Sequence, residues 1–191
     1  MNLLPVLRFA HALVNACLKS GDCALDGTAG NGHDTLCLAR CVGKTGKVWA
    51  FDVQSQALVN TAARLEEAGE RSQVELVQTG HETLADYINR PLAAAVFNFG
   101  WLPGGDKSLT TQMHTSIQAL SAALALLKPG GLLLAVLYPG HEAGSEEADA
   151  VEQWAAALPQ NEYSVLKYGF INQINRPPYL LSVEKKHTAA E

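Results

Sequence analysis

The chain has 191 residues, 48% of them hydrophobic and 17% charged, with a formal net charge of −5. That length suits a single α/β domain over 1–191 with a substantial core. The mild acidity excludes a protein that coats nucleic acid non-specifically, though not one that grips RNA through a local patch. No run is long and apolar enough to span a bilayer, and the chain is expected to be cytoplasmic.

In chain order, Leu3, Leu7, Ala10, Val14 and Cys17 trace one face of an amphipathic N-terminal helix, on which His11 is expected to be structural. Cys23 to Leu25 predict a short strand that runs into Asp26-Gly-Thr-Ala-Gly-Asn-Gly-His-Asp34 and then a helix. Val48–Phe51 is a second strand ending in Asp52, followed by a helix over 54–68 that stops at Gly69. Val74–Val77 is the third strand and Ala93–Phe97 the fourth, with a short helix between them. A helix over 109–127 is ended by Lys128-Pro-Gly-Gly131, a strand over 132–137 breaks at Tyr138-Pro-Gly-His141, and a further helix covers 145–158. Strands over 163–171 and 179–184 close the chain as a hairpin around Asn172-Gln-Ile-Asn-Arg-Pro-Pro178. This alternation predicts a Rossmann-like, doubly wound α/β fold with a mostly parallel seven-stranded sheet and an antiparallel edge.

Ligands of such sheets bind beyond the carboxyl ends of the strands. Taken in turn, those ends are Asp26, Asp52, His81, Asn98 and His141, so the unusual polar clusters share one rim. The glycine order is G-x-x-G-x-G rather than the G-x-G-x-x-G of a dinucleotide site, and Asp26 and Asp34 bracket the turn. Two carboxylates repel a pyrophosphate and attract a cationic sulfonium, which favours S-adenosylmethionine over NAD. The plainer alternative is that both aspartates cap turns or helix ends. Asp52 is placed to accept the hydroxyls of a ribose. His81 stands where an adenine would lie, or simply starts the next helix.

At the fourth strand, Asn98 with neighbouring carbonyls can orient an amine through its N–H groups. Phe99 and Trp101 can stack on a base, or seal the core. Leu102 and Pro103 follow, and Lys107 is the natural phosphate contact of the glycine-rich loop. His33 and His141 are candidate proton acceptors. Asn172, Asn175, Arg176, Pro178 and Tyr179 form a stiff polar loop suited to a nucleotide, or a structural turn. Cys17, Cys23, Cys37 and Cys41 lack C-x-x-C pairing and read as free thiols, so no metal is expected.

The segments Asp26–Asp34, Asn98–Lys107, Leu127–Gly131, Tyr138–His141 and Phe170–Tyr179 together resemble the MnmM (YtqB-like) methyltransferases, also described as rRNA methylases, over essentially the whole chain. Gly27 stands where that family often has Ala, and Trp101 where Tyr is frequent. The resemblance implies a class I S-adenosylmethionine-dependent fold. It also implies methylation of the aminomethyl group of wobble 5-aminomethyl-(2-thio)uridine, with the tRNA anticodon stem-loop as partner. The expected donor site comprises Asp26, Thr28, Gly30, Asn31, Gly32, Asp34, Asp52, Gln54, His81 and Asn98. Catalysis is expected of Asn98, His33 and His141. Phe99, Trp101, Leu102, Pro103, Lys107, Tyr138, Asn172, Asn175, Arg176 and Pro178 would face the substrate. A homodimer is expected. Rival expectations are methylation of rRNA or a small metabolite, NAD-linked oxidoreduction, and a non-catalytic binding module.

Overall fold

A computed structural model describes residues 2–100, 111–140 and 142–187. Seven strands form one sheet in the order β3-β2-β1-β4-β5-β7-β6. They are β1 (Cys23–Asp26), β2 (Lys47–Phe51), β3 (Val74–Val77), β4 (Leu92–Asn98), β5 (Leu127–Leu137), β6 (Tyr163–Tyr168) and β7 (Tyr179–Lys185). β1 to β5 are parallel, whereas β7 runs antiparallel to β5 and β6 antiparallel to β7. The chain therefore lays its last strand inside and its sixth on the edge. β1 and β4 are buried along nearly their whole length, as strands covered by helices on both faces must be.

Two cores flank the sheet. One gathers Leu25, Phe51, Phe97, Leu133 and Leu181 beneath the helices α4 (Met113–Leu126) and α5 (Glu142–Ala156), together with a 3-10 turn over His81–Asp86. The other gathers Val14, Leu38, Val48, Leu65 and Leu134 beneath α1 (Val6–Cys17), α2 (His33–Val42) and α3 (Ser55–Glu67). Among the described residues no helix is long and apolar enough to cross a membrane.

Three local expectations change. The buried stripe of α1 is Val6, Ala10 and Val14, while Leu3 and Leu7 are exposed. The helix starts at Val6, so Leu3 lies outside it, and α1 packs on α2, β5 and β7 through the neighbouring stripe. Lys128-Pro-Gly-Gly131 belongs to β5 rather than to a separate loop, because Leu127 already pairs with Leu92 and the register shifts between Leu92 and Ala94. The sixth strand stops at Tyr168, where the Tyr168 ring stacks on Phe9 at 4.1 Å and its hydroxyl donates to the Leu4 carbonyl. That contact ties the sheet edge to the N-terminal helix.

Gly27, directly after β1, is required by its neighbour. A Cβ there would collide with the edge of the buried Phe97 ring. Gly27→Ala is expected to lower stability by about 1–3 kcal/mol, the usual range for overpacking. Phe97→Leu should recover part of that loss in the double variant, as read by urea unfolding.

Candidate functional site

The site is built at the carboxyl ends of β1, β2, β3 and β4. Asp26 closes β1 and is fully buried. Its Oδ1 accepts the Thr28 N–H at 3.0 Å, and its Oδ2 accepts the Thr35 hydroxyl at 2.5 Å. This one carboxylate thus fixes the turn and the first turn of α2. Burial, together with the neighbouring Asp34, pushes its pKa up to about 7, against the two hydrogen bonds. Both oxygens already have partners within the chain, so Asp26 shapes the turn and contributes charge through space.

Beyond it, Gly30 and Gly32 adopt positive φ of 52° and 78°. At Gly32 a Cβ would lie 2.9 Å from the Thr61 backbone, which is why α2 can begin against α3. The Gly30 N–H donates to Asp52 Oδ2 and the Gln54 N–H to Asp52 Oδ1, both at 2.9 Å. The loop after β1 and the tip of β2 are thereby locked together, and each Asp52 oxygen keeps lone pairs for a ligand. Asn31 is tied outward: its Oδ1 accepts from Asn60 and its carbonyl from Arg64.

Asn98 is the last residue of β4, and its N–H donates to Thr28 Oγ1 at 2.7 Å. Its Nδ2 lies 3.4 Å from Asp34 Oδ2. The other oxygen of Asp34 meets His11 Nε2 at 2.6 Å. Hydrogen bonding to Asp34 and Cys37 raises the His11 pKa to about 10, despite its partial burial. Tyr138 stands beside this group, its phenol pushed up by burial and by the Asp34 charge. Tyr138 also lines a depression of about 440 Å³ with Gly140, Asn175, Arg176 and Pro178. Asn175 and Arg176 both have positive φ there, and the Arg176 guanidinium bonds Ser145 and Asp149 of α5. Asn172 is exposed on the same loop.

Other candidate residues sit elsewhere. Phe99 is 1% exposed, stacked on Phe97 with centroids 5.5 Å apart, so it seals the core and offers no face to a base. His33 is exposed on the far side of the loop, its Nε2 3.2 Å from Arg64 Nη2, and lines a separate depression with Asn60 and Glu67. A guanidinium only donates, so this imidazole nitrogen accepts from Arg64. His81 is buried edge-on to Phe97 and Phe99; its Nδ1 meets the Gly27 carbonyl at 3.3 Å, and burial lowers its pKa. Its Nε2 has no hydrogen-bond partner among the described residues. Trp101, Leu102, Pro103, Lys107 and His141 lie outside the described residues. Among those described, no group of three metal-ligating side chains assembles.

Two contributors escape a reading of the sequence. His11 carries no motif and comes from a helix remote in the chain. Glu147 is buried, accepting from Thr111 and Ser116, while Thr111 Oγ1 accepts the Gly100 N–H. A Thr and a Glu 36 residues apart give no periodic signal.

The sheet order, the glycine turn and the carboxylate at the tip of β2 define a class I methyltransferase fold. A family profile described as "Putative rRNA methylase" matches residues 48–184, and the chain belongs to this family. A "putative rRNA-methylase" from Clostridium thermocellum is 39% identical, with a TM-score of 0.95, over 97% of this chain and 100% of its own. SMU.1697c of Streptococcus mutans, solved in complex with SAH, is 37% identical over 96% of this chain and 99% of its own, with a TM-score of 0.88. A chloroplastic tRNA (mnm(5)s(2)U34)-methyltransferase of Arabidopsis thaliana is 34% identical over 188 residues, spanning 93% of this chain and 69% of its own length.

The raised Asp26 pKa sets a pH dependence. The folded state holds this proton more tightly than the unfolded chain, whose aspartate titrates near 3.9. The contribution of this group is therefore fully present below about pH 4 and is lost as pH rises through about 7. Asp26→Asn should remove a decline of roughly 2–4 kcal/mol, measured by urea unfolding of the ligand-free protein across that window.

Proposed function

We propose that the chain transfers the methyl group of S-adenosylmethionine to the aminomethyl nitrogen of wobble 5-aminomethyl-(2-thio)uridine in tRNA. The product is 5-methylaminomethyl-(2-thio)uridine. The observation that carries this reading is Asn98, fixed at the tip of β4 beside Asp34 in a chain similar along 188 residues to a tRNA methyltransferase. The anticodon stem-loop would be the macromolecular partner, approaching by the Tyr138–Arg176 depression. A homodimer would widen that surface.

The carboxyl edge fits the donor. Gly30 and Gly32 leave the turn open for close backbone approach. Asp52 has spare lone pairs for ribose hydroxyls. The His81 Nε2 acceptor, buried without a partner among the described residues, matches an adenine N–H. Asp26, Asp34 and Asp52 place negative charge where a pyrophosphate would be repelled, which argues against a dinucleotide.

When bound, S-adenosylmethionine supplies a methyl group on a cationic sulfur that leaves as a neutral thioether. The chain's part is to present the amine. A primary alkylamine is mostly protonated at neutral pH, given a lysine reference pKa of about 10.4, and only its neutral form has a lone pair to donate. The Asn98 amide and nearby carbonyls take its N–H groups and direct that lone pair, and withdrawal of the amine from water disfavours its charged form. Proximity and desolvation supply the rate, and no covalent enzyme intermediate is involved.

The family description favours a second reading, methylation of ribosomal RNA. Purified protein given labelled donor and either tRNA carrying 5-aminomethyl-2-thiouridine or ribosomal subunits separates the two. Label should enter the tRNA nucleoside; label in the subunits alone would reverse the assignment. Asn98→Ala should lower kcat by about 100-fold with donor affinity retained, as seen in single-turnover kinetics. Asp52→Ala should weaken donor binding about tenfold or more by calorimetry, since the ribose loses its charged acceptor.

A further inference from the structure

We propose that His11, from the N-terminal helix, is a positioning residue of the transfer site: through Asp34 it sets the amide of Asn98 so that Oδ1 faces the incoming amine. This rests on the function proposed above. The backbone of Asn98 is already fixed, its N–H on Thr28 Oγ1 and its pairing partner Val136 in β5. What remains to be set is the side-chain amide, which has a donating end and an accepting end and also hydrogen-bonds the Tyr138 phenol. Turned one way it offers an oxygen to an amine's N–H groups. Turned the other way it opposes them with its own N–H groups.

Asp34 sets the direction, and the Tyr138 phenol, whose pKa the Asn98 bond lowers, takes the same donating end. A carboxylate accepts only, and Oδ2 lies 3.4 Å from the Asn98 nitrogen, so Nδ2 faces Asp34 and Oδ1 is left for the substrate. Asp34 in turn needs a counter-charge, because Asp26 is close enough for each to burden the other. His11 provides it at 2.6 Å on the opposite oxygen. The titratable groups facing His11 are Asp34 and Cys37 of α2, and both favour its proton while burial opposes it. The imidazolium therefore persists throughout the neutral range. His33, the histidine nearest in sequence to the loop, is committed to Arg64 and does not compete.

The test uses the full chain with His11→Ala, His11→Lys and Asp34→Asn. Without any ligand, the His11 ring signal in NMR should titrate near pH 10 in the wild type and clearly lower in Asp34→Asn, which removes its largest stabilising partner. The Asn98 side-chain amide protons should exchange faster in His11→Ala. With donor and tRNA carrying 5-aminomethyl-2-thiouridine, His11→Ala should lose between about tenfold and 100-fold in kcat, and donor affinity should stay within about twofold. His11→Lys, which restores a cation, should recover part of kcat. A wild-type His11 that titrates near 6.5, unchanged Asn98 exchange, or full turnover by His11→Ala would each overturn the inference. Inactive wild type on this tRNA would sink the proposed function instead, leaving the titration and exchange data to judge the His11–Asp34–Asn98 chain.

Discussion

The buried carboxylate of Asp26 is the constraint around which the carboxyl edge is organised. With no solvent to satisfy it, each oxygen must find a donor, and the donors available are the Thr28 N–H and the Thr35 hydroxyl. Meeting that demand dictates where the turn leaves β1 and where α2 begins. Thr28, so placed, receives the N–H of Asn98 from β4. The turn continues to Gly30, whose N–H reaches Asp52 at the end of β2. One burial problem thereby aligns three strand ends.

Negative charge accumulates as a consequence. Asp26, Asp34 and Asp52 gather on one rim, and the protein meets the resulting strain unevenly. Asp26 takes up a proton readily, Asp52 is spread over two backbone N–H groups, and Asp34 draws a histidine from another helix. A rim that balances on so little positive charge is suited to a cationic donor and ill suited to a phosphate. Phe97, Phe99 and His81 pack together on one face of the sheet, where Phe97 and His81 abut Gly27 at the start of the turn.

The loop between β6 and β7 belongs to a different layer of the design. Because β6 runs in the direction of β5 and β7 against it, their connection falls at the carboxyl end beside Tyr138. Asn175 and Arg176 accept positive φ to make that turn, and α5 anchors the Arg176 guanidinium. An antiparallel pair at the end of a parallel sheet thus brings a polar, proline-stiffened segment to the mouth of the donor site.

The glycine turn, the apolar strands and the polar residues at their ends are local patterns, and they specified the sheet, its five parallel members and the rim on which Asp26, Asp52, His81 and Asn98 stand. Strand ends are legible because a change from apolar to polar residues marks where the chain leaves the core. Side-chain direction is not legible in this way. Phe99 reads like a stacking platform or a core seal and is buried; His33 reads like a base and faces Arg64; His11 reads as a structural helix residue and meets Asp34. Each outcome depends on which helix packs beside the loop and on what rotation, since pairings across 23 or 31 residues leave no period in the sequence. The order of residues determined the edge where chemistry can happen. Packing α1 and α3 against α2 decided which of the side chains at that edge take part.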